Sequence, residues 1–428
     1  MILVDAALAK REESGNPVRV GIVGAGYMGR VIALAIITSV TGMRVVAISS
    51  RRLEAACRAF QEAGVSDVAT VESRSRLEDA IAGGRAAVTD DAMLLCEAAG
   101  IDVVVEVTGQ IEFGARVALQ AIAHGKHVVL VNAELDATLG PVLKARADRS
   151  GVVITNTDGD EPGVAMNLVR FVRTIGYRPV AAGNIKGLID HYRTPETQKA
   201  FAEKHGQKPH NVTSFADGTK LSMETTCLAN AAGFRVGRPG MYGPRCAHVR
   251  QILDLLPRED MLSGGIVDYV VGAEPHTGAW VVGYNDHPVK MSYMSYFKMG
   301  DGPFYLFYTP YHLPHLQIIT TIARAALFGD ATVTPLGAPR CEVLTLAKRD
   351  LRAGEVLDGL GGFMSYGMIE NAEVRRRGNL LPMGVSEGCT LTRDVAKDAP
   401  VSYAAVRLPP DRLCDQLREE QDKLFAMS

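Results

Sequence analysis

Short apolar runs alternate with longer amphipathic stretches through the first third of the chain. Runs rich in Val and Ile predict β-strands, and the stretches between them, which end at glycines, predict helices. The predicted strands are Val18–Val23, Met43–Ile48, Ile101–Val107, His127–Val131 and Val152–Thr155. The predicted helices are Met1–Lys10, Val31–Val40, Leu53–Ala63, Ala92–Ala99, Phe113–His124 and Thr138–Arg149. Such alternation over short loops indicates a parallel sheet, so we expect an α/β domain with a Rossmann-type doubly wound sheet over residues 1–158.

The pattern changes after Asn156, where the chain becomes richer in Gly, Pro, Tyr and His. Its longer and less regular apolar runs predict an α+β substrate domain over residues 159–335. Within this domain Leu313–Phe328 has the periodicity of an amphipathic helix, which we expect to pack back on the first domain. From Arg340 onwards, short β segments and turns that begin with Cys341–Ala347 predict a small β-rich domain over residues 336–428.

Composition and charge narrow the class of protein. The chain of 428 residues is too long for one ordinary core, and its net charge of −2 gives no reason to expect a nucleic-acid partner. The seven cysteines have no CxxC spacing, which favours free thiols in a reducing compartment over disulfides or a zinc site. Residues 1–17 carry charges and no long uncharged apolar run follows, so we expect a cytoplasmic protein without signal peptide or membrane span.

A glycine-rich turn follows the first predicted strand and consists of Gly24, Ala25, Gly26, Tyr27, Met28 and Gly29. In a strand–turn–helix unit the first glycine permits the tight turn, and the second lets the backbone approach a pyrophosphate. The third glycine lets the helix and the strand pack closely. The helix N-terminus then offers N–H groups to the phosphates. A turn that binds nothing is the alternative, but this setting predicts a dinucleotide site that includes Tyr27 and Met28.

The end of the second strand bears on the choice of nicotinamide dinucleotide. Folds specific for NAD place an acidic residue about twenty positions after the glycines, where it binds the ribose hydroxyls. Here the residues are Ser49, Ser50, Arg51 and Arg52, and none of them is a carboxylate. Because guanidinium groups bind a phosphate bidentately or stack over it, Ser50, Arg51 and Arg52 predict NADPH rather than NADH. The alternative is a solvated basic loop.

Two segments of the predicted nucleotide domain resemble homoserine dehydrogenases. They are Asp102–Gly109, with the sequence DVVVEVTG, and Gly125–Val129, with the sequence GKHVV. The resemblance covers residues 18–157 and implies that Thr108 and Gly109 contact the cofactor through the backbone.

The same family has Asn-Lys at the end of the next strand, where the lysine reaches the substrate. Here Asn132 is present, but Ala133 takes the place of the lysine. Asn132 and Glu134 follow a strand that passes beside the nicotinamide in this fold, so we expect both residues to lie at the cofactor. Asp136 could act there or cap a helix, and Glu106 is expected to be a buried structural acid.

The whole chain is similar to a branch described as predicted homoserine dehydrogenases with a C-terminal SAF domain. The segments that carry this similarity are NTDGDEPG at Asn156–Gly163, GNIKG at Gly183–Gly187, YRTPET at Tyr192–Thr197, PYHL at Pro310–Leu313 and KRDLRAG at Lys348–Gly354. The last segment resembles the opening of an SAF module. The branch includes the 1-deoxy-D-xylulose 5-phosphate reductoisomerase-like (DRL) enzymes. The resemblance therefore implies NADPH-dependent formation of 2-C-methyl-D-erythritol 4-phosphate, an isoprenoid precursor.

Three carboxylates follow the strand Val152–Thr155, at the sheet edge where doubly wound folds bind ligands. They are Asp158, Asp160 and Glu161, and they repel one another unless a cation lies among them. Mg²⁺ or Mn²⁺ prefers such oxygen ligands, so the sequence predicts a metal site, with Asp160 and Glu161 as alternative acid–base groups. Ordinary turn and capping chemistry is the other interpretation.

Lys186 lies between glycines at the end of an apolar run, which predicts a cation that stabilises an oxyanion or transfers a proton. A surface lysine in a turn is the alternative. His191 follows shortly after and is a further candidate for proton transfer. Arg193, Lys199, Lys204, Lys208 and Lys220 could bind a phosphate, but a solvated face is expected for this set. For His312 and His315 we expect packing roles.

The sequence therefore predicts an NADPH-dependent reductoisomerase that acts on a phosphorylated small molecule, uses a divalent metal and forms a homo-oligomer such as a dimer. One alternative is a dehydrogenase of homoserine or a related hydroxy acid. Another is a non-catalytic NADPH-binding SAF protein.

Overall fold

The computed structural model describes residues 3–426, so Met1, Ile2, Met427 and Ser428 lie outside the described part. The α-helices are α1 Val4–Glu13, α2 Tyr27–Ser39, α3 Leu53–Glu62, α4 Arg74–Ala82, α5 Ala92–Glu97, α6 Ile111–Ala123, α7 Ala133–Arg149, α8 Glu161–Thr174, α9 Pro195–Lys204, α10 Pro209–Ala216, α11 Thr219–Ala232, α12 Ile252–Leu255, α13 Arg258–Leu262, α14 Pro288–Tyr296, α15 Pro314–Phe328, α16 Ala372–Gly378 and α17 Leu413–Leu424. Short 3₁₀ helices span Val249–Gln251, Met383–Val385 and Tyr403–Ala405.

The strands form four sheets. They are β1 Val18–Val23, β2 Met43–Ser49, β3 Val68–Thr70, β4 Ala86–Thr89, β5 Val103–Glu106, β6 His127–Leu130, β7 Ile154–Asn156, β8 Arg178–Lys186, β9 Ile266–Val271, β10 Ala279–Tyr284, β11 Phe304–Thr309, β12 Cys341–Ala347, β13 Ser365–Asn371, β14 Thr390–Leu391 and β15 Val406–Arg407. The described residues divide into two compact units, residues 3–160 with 313–334, and residues 161–312 with 335–426.

The first unit is a seven-stranded parallel sheet with the strand order β3-β4-β2-β1-β5-β6-β7. Side chains of β1, β5 and α2 form its main core, to which α15 contributes Ile318, Ile322 and Ala323. Helix α15 thus belongs to this unit. The order confirms the predicted Rossmann-type doubly wound α/β fold. The sequence prediction omitted β3, α4 and β4, which are short and only partly apolar.

Several element boundaries differ from the predictions in ways that matter for the site. Helix α7 begins at Ala133 rather than Thr138, with Asn132 as its N-cap. Glu134 and Asp136 therefore lie in its first turn rather than in a loop. Strand β8 extends to Lys186, whereas the apolar run in the sequence predicts a strand over Pro179–Ala182 only. The predicted helix Met1–Lys10 corresponds to α1, which begins at Val4 and extends to Glu13, while Met1 and Ile2 lie outside the described residues.

The second unit contains a mixed four-stranded sheet with the order β11-β10-β8-β9. Strands β8 and β9 are parallel, and β10 is antiparallel to both β8 and β11. The antiparallel pairs β12–β13 and β14–β15 come from the C-terminal segment. This segment had been expected to form a separate domain over residues 336–428, but the structure groups its described residues with residues 161–312.

All seven cysteines are free, and five of them are buried. Among residues 3–426, no helix combines the length and the apolar character needed to cross a membrane.

Candidate active site

The glycine-rich turn of the first unit has the backbone geometry that a dinucleotide requires. Gly24 has φ +117°, a conformation that favours glycine, and a Cβ on Gly29 would lie 1.9 Å from the Gly24 carbonyl oxygen. Helix α2 begins at Tyr27 with Gly26 as its N-cap and without a capping side chain. A Cβ on Gly26 would meet no protein atom within 4 Å. The N-terminal N–H groups therefore face open space that fits a pyrophosphate.

Two exposed arginines follow the end of β2. The hydroxyl of Ser50 accepts a 3.3 Å hydrogen bond from the backbone N–H of Arg52, which shapes the start of α3. The side chains of Arg51 and Arg52 are exposed to solvent. Their assignment to a 2′-phosphate stays a prediction.

Glu106 is the centre of a buried network at the ends of β5 and β6. Its Oε1 accepts hydrogen bonds from the Thr108 hydroxyl and, at 2.8 Å, from the Thr108 backbone N–H. Its Oε2 accepts from Asn132 Nδ2 at 2.8 Å, while Asn132 Oδ1 accepts from the Leu135 N–H and caps α7. Burial raises the pKa of Glu106, and the hydrogen bonds oppose that rise. Asn132 and Thr108 thus hold the Glu106 carboxylate in place at the ends of β5 and β6. Their contribution to cofactor binding is a separate prediction.

Glu134 and Gly109 flank the same edge. Glu134 lies in the first turn of α7, where a carboxylate is favoured by the helix dipole. Gly109 has φ +67°, so its turn favours glycine. Their cofactor contacts remain predictions.

Asp158 has a structural role in the first unit. Its Oδ2 accepts a 2.9 Å hydrogen bond from Thr320 Oγ1, and its Oδ1 accepts from the Gly159 N–H at 2.7 Å. Its own N–H donates to Thr321 Oγ1 at 2.7 Å. The residue thereby anchors α15 to the chain that leaves β7.

The predicted metal site is not supported by the arrangement of its residues. Within residues 3–426 no group of three or more His, Cys, Asp or Glu side chains is arranged to hold a metal ion. The carboxylate of Asp158 already accepts hydrogen bonds, Asp160 belongs to the first unit, and Glu161 belongs to the second. The donor set therefore does not fit a bound Mg²⁺ or Mn²⁺.

Lys186 stands at the centre of a buried charged cluster in the second unit. Its ammonium contacts Oε2 of Glu161, the first residue of α8, and lies 3.3 Å from Oε2 of Glu224 in α11. Asn184 Nδ2 donates to the same oxygen of Glu161 at 2.7 Å. The side chains of Glu161 and Glu224 are 3% and 6% exposed, whereas that of Lys186 is 22% exposed. The lysine is therefore the member of this trio most open to a ligand.

Two more basic groups border the carboxylates. Lys220 Nζ, one helical turn before Glu224, lies 3.9 Å from Glu224 Oε1. His312 Nε2 lies 3.9 Å from Oε1 of Glu161, and its side chain is 32% exposed. The cluster thus joins residues from β8, α8, α11 and the segment before α15.

Burial and nearby charges shift the pKa values of Glu161 and Glu224 in opposite directions. Burial is the largest influence on the pKa of Glu161 and raises it well above its ordinary value, although Lys186 opposes the rise. Burial also acts to raise the pKa of Glu224, but the charges of Lys186 and Lys220 outweigh it and leave that pKa lowered. Burial acts to lower the pKa of Lys186, yet the two carboxylates raise it overall. Glu161 is therefore the more readily protonated carboxylate of this coupled pair, and the two carboxylates favour the charged form of Lys186.

His191 makes contacts elsewhere in the second unit. Its Nδ1 donates to the backbone oxygen of Asp217 at 2.7 Å, and its ring stacks on Tyr366 with centroids 4.6 Å apart. These contacts orient the histidine without Lys186, Glu161 or Glu224. A catalytic role for His191 stays a prediction.

The remaining basic candidates separate into two groups. Lys199, Lys204 and Lys208 are exposed, as expected for a solvated face, and Arg193 forms an ion pair with Asp190 at 2.9 Å. Lys220 differs, because it borders the buried carboxylates.

Sequence reasoning missed Glu224 and assigned His312 to packing. A signal for Glu224 existed, since TKLSMETTCLANAA in α11 is almost uniformly small or apolar and yet contains Lys220 and Glu224 four residues apart. Charges at that spacing in a buried helix require partners.

Two family models match separate parts of the chain. Residues 18–130 match the family model described as "Oxidoreductase family, NAD-binding Rossmann fold", and residues 159–318 match "Oxidoreductase DRL, catalytic domain". A homoserine dehydrogenase of Methylobacillus glycogenes is 30% identical over 139 residues, which are 32% of this chain and 30% of that protein. The chain thus matches less than a third of that relative's length.

Solved structures show weaker similarity. A homoserine dehydrogenase from Thiobacillus denitrificans has 15% identity and a TM-score of 0.44, covering 90% of this chain and 98% of that one. Biliverdin reductase from Synechocystis, solved with biliverdin and NADP⁺, has 20% identity and a TM-score of 0.28, covering 41% and 49%. Similarities of this size do not bear on the substrate. The two family matches, together with the open glycine turn, support an NAD(P)-binding oxidoreductase with DRL-like and homoserine-dehydrogenase-like parts.

Proposed function

We propose that this protein is an NADPH-dependent oxidoreductase whose proton transfers are carried out by Lys186, Glu161 and Glu224. The observation that carries the proposal is the buried cluster in which one lysine contacts both carboxylates. An ion cluster of this kind is costly to bury, and perturbed pKa values of this pattern concentrate at functional sites. The match of residues 159–318 to a catalytic-domain model supports placing the chemistry here.

The charge of the cluster favours an anionic substrate. Lys186 and Lys220 carry two positive charges, Glu224 carries one negative charge, and protonated Glu161 carries none. A phosphate or carboxylate group would therefore be attracted to the cluster. Exposed Arg51 and Arg52 favour the phosphorylated form of the dinucleotide on the same electrostatic grounds.

We favour a reductoisomerase that acts on a phosphorylated deoxyketose such as 1-deoxy-D-xylulose 5-phosphate. In the isomerisation, the hydroxyl beside the ketone gives its proton to the Glu224 carboxylate. The carbon–carbon bond beyond that hydroxyl then migrates to the ketone carbon, and the ketone oxygen receives a proton from Lys186. Glu161, which holds a proton in contact with Lys186, restores the ammonium.

The second step reduces the aldehyde that this migration produces. NADPH, held at the glycine-rich turn by the N–H groups of α2, would supply the hydride for this reduction. The aldehyde oxygen requires a proton in this reduction, and Lys186, the most exposed of the trio with Glu161 and Glu224, can supply it. The role of Lys186 is thus the same in both steps, namely to stabilise and protonate a developing oxyanion.

A second candidate is the dehydrogenation of homoserine or a related hydroxy acid. The 30% identity to a homoserine dehydrogenase over 139 residues favours it. The same cluster would serve, with Glu224 accepting the hydroxyl proton and Lys186 facing the oxygen. Against it stands Ala133, where that family has the substrate-binding lysine.

A single assay panel separates these candidates. Full-length protein is mixed with NADPH and 1-deoxy-D-xylulose 5-phosphate, or with NADP⁺ and homoserine, with and without Mg²⁺ or Mn²⁺. Absorbance reports NADPH, and NMR identifies the product. We expect NADPH oxidation with the ketose phosphate and formation of a branched polyol phosphate. NADP⁺ reduction by homoserine alone would favour the dehydrogenase, and NADPH binding without turnover on any substrate would contradict both.

A further inference from the structure

Helix α11 supplies Lys220 and Glu224 to the cluster, and an acidic side chain fixes its first turn. The helix starts at Thr219, and its N-cap Gly218 has no side chain to cap it. Instead Asp217 Oδ1 accepts a 2.8 Å hydrogen bond from the Thr219 N–H. Asp217 is fully buried, so its carboxylate needs a compensating charge.

Lys348 of the C-terminal segment provides that charge. Its ammonium lies 2.8 Å from Asp217 Oδ2, with side chains 3% and 0% exposed. The same ammonium donates to the backbone oxygens of Arg193 and Gly362, each at 2.7 Å. The ammonium is thus held by one ion pair and two hydrogen bonds. Lys348 opens the SAF-like segment KRDLRAG, to which the proposed reaction assigns no role.

Strand β13 holds the same turn of α11 through its backbone. The Gly367 N–H donates to Thr219 Oγ1 at 2.8 Å, and Ser222 Oγ donates to the Gly367 carbonyl at 3.1 Å. A Cβ on Gly367 would lie 3.0 Å from Thr219 Cγ2 and 2.8 Å from Val343 Cγ1. Glycine therefore permits the close approach of strand and helix.

We infer that Lys348 and Gly367 are positioning residues, through which the C-terminal segment sets the place of Glu224 relative to Lys186. The inference rests on the proposed function, because it concerns the cluster that carries the proton transfers. Ser222 lies two residues before Glu224, so a loosened first turn displaces the carboxylate directly. A misplacement of roughly 1 Å at a catalytic group costs on the order of 100-fold in rate.

Two pairs of matched substitutions test the contact between α11 and β13. Ser222→Ala and Thr219→Val each remove one hydroxyl that bonds Gly367. Their controls are Ser365→Ala in β13 and Thr345→Val in β12, which remove buried hydroxyls without a hydrogen-bond partner among the described residues. We expect kcat to fall about 10-fold in the first pair, with KM within about twofold, and both constants to stay unchanged in the controls.

The ion pair between Lys348 and Asp217 is tested by replacing both residues, so that no unpaired charge is left buried. Lys348→Met alone would strand Asp217 and could prevent folding, so the variant is Lys348→Met combined with Asp217→Asn, which keeps the acceptor for the Thr219 N–H. We expect kcat to fall about 100-fold while NADPH affinity is unchanged. Hydrogen exchange of the amides from Lys220 to Glu224 should be faster than in wild type.

The outcomes separate this inference from the function on which it rests. Suppose that wild type turns over substrate and that the Ser222, Thr219 and Lys348 variants all match wild type in kcat and amide exchange. The inference is then wrong and the function stands. If no substrate is turned over but amide exchange in α11 accelerates only in those variants, the C-terminal segment does hold the first turn of α11 and the proposed function is wrong. A fall in kcat that is matched in Ser365→Ala or Thr345→Val would also overturn the inference, because it would show a general loss of packing.

Discussion

The glycine turn of the first unit and the charged cluster of the second unit are built in opposite ways. The turn presents backbone N–H groups, and its requirements are steric: a Cβ on Gly29 would overlap the Gly24 oxygen. The cluster presents side chains, and its requirements are electrostatic: Glu161, Glu224 and Lys186 set one another's protonation. One site should therefore fail when an atom is added, and the other when a charge is removed.

This difference separates the consequences of mutation. A backbone site transmits damage to folding, since the turn also joins β1 to α2. A buried charged cluster contributes little net stability when it is replaced as a whole, because desolvation offsets its attraction, whereas the loss of a single member leaves its partners buried without a counter-charge. Substitutions at the two sites should therefore differ in how they lower stability and activity.

The largest expected effect is the loss of the central cation. Lys186→Met should lower kcat about 10³-fold, because the proton donor and its charge are both removed. NADPH affinity should not change, since the residues predicted to bind it belong to the first unit. Steady-state kinetics and calorimetry measure both quantities, and urea denaturation separates the loss of chemistry from the instability of two buried carboxylates left without their cation. Lys290→Met, at an exposed position in α14, is the matched control, and equal activity in the two variants would contradict the role of Lys186.

The steric requirement of the turn is tested by two alanines. Gly29→Ala should destabilise the first unit by about 3 kcal/mol, because its Cβ meets a backbone oxygen at 1.9 Å. Gly26→Ala should cost no more than about 1 kcal/mol, since its Cβ meets nothing within 4 Å, but should weaken NADPH binding about 10-fold by filling the cofactor's space. Urea denaturation and calorimetry distinguish the two. Tight NADPH binding by Gly26→Ala would show that the pyrophosphate lies elsewhere.

The charge at the end of β2 should affect cofactor choice alone. Replacing both Arg51 and Arg52 with Ala should reduce the preference for NADPH over NADH about 10-fold, because two guanidinium partners of the 2′-phosphate are lost. Dissociation constants of the two cofactors are the measurement. The control is Arg58→Ala, an exposed arginine in α3. An unchanged ratio would mean that Arg51 and Arg52 form a solvated loop.

The smallest effect is a pH dependence of stability. Burial raises the pKa of Glu161 in the folded state above its unfolded value of about 4.3, so its contribution to stability is fully present below that pH and is lost as pH rises towards the folded pKa. Glu161→Gln keeps the acceptor for Asn184 and does not titrate. The free energy of unfolding of this variant should therefore gain on wild type as pH rises from 4 to 8, and a constant difference in urea titrations would place an ionised Glu161 in the folded protein.

Much of the first unit could be predicted from the sequence. Val18–Val23, the glycine spacing and the start of α2 follow from local sterics and hydrophobic period, so the turn could be identified without knowing any distant contact. The sequence was less informative where polar residues serve the fold. Asn132 proved to be the N-cap of α7 and a partner of Glu106, and Asp158 anchors α15 rather than joining a metal site.

The charged cluster depended on the tertiary structure. Lys186 was predicted from its glycine flanks, but Glu224 and His312 lie 38 and 126 positions further along the chain and reach the cluster only through folding. The same holds for Lys348, whose partner Asp217 lies 131 positions earlier.

By itself, the sequence determined the parallel sheet and the phosphate-binding turn, because both follow from short-range steric rules and periodicity. Which carboxylate is the more readily protonated, and which lysine of the cluster is the more exposed, was decided by the tertiary structure alone. Protonation depends on burial and on charges a few ångströms away, and neither can be derived from positions along a chain.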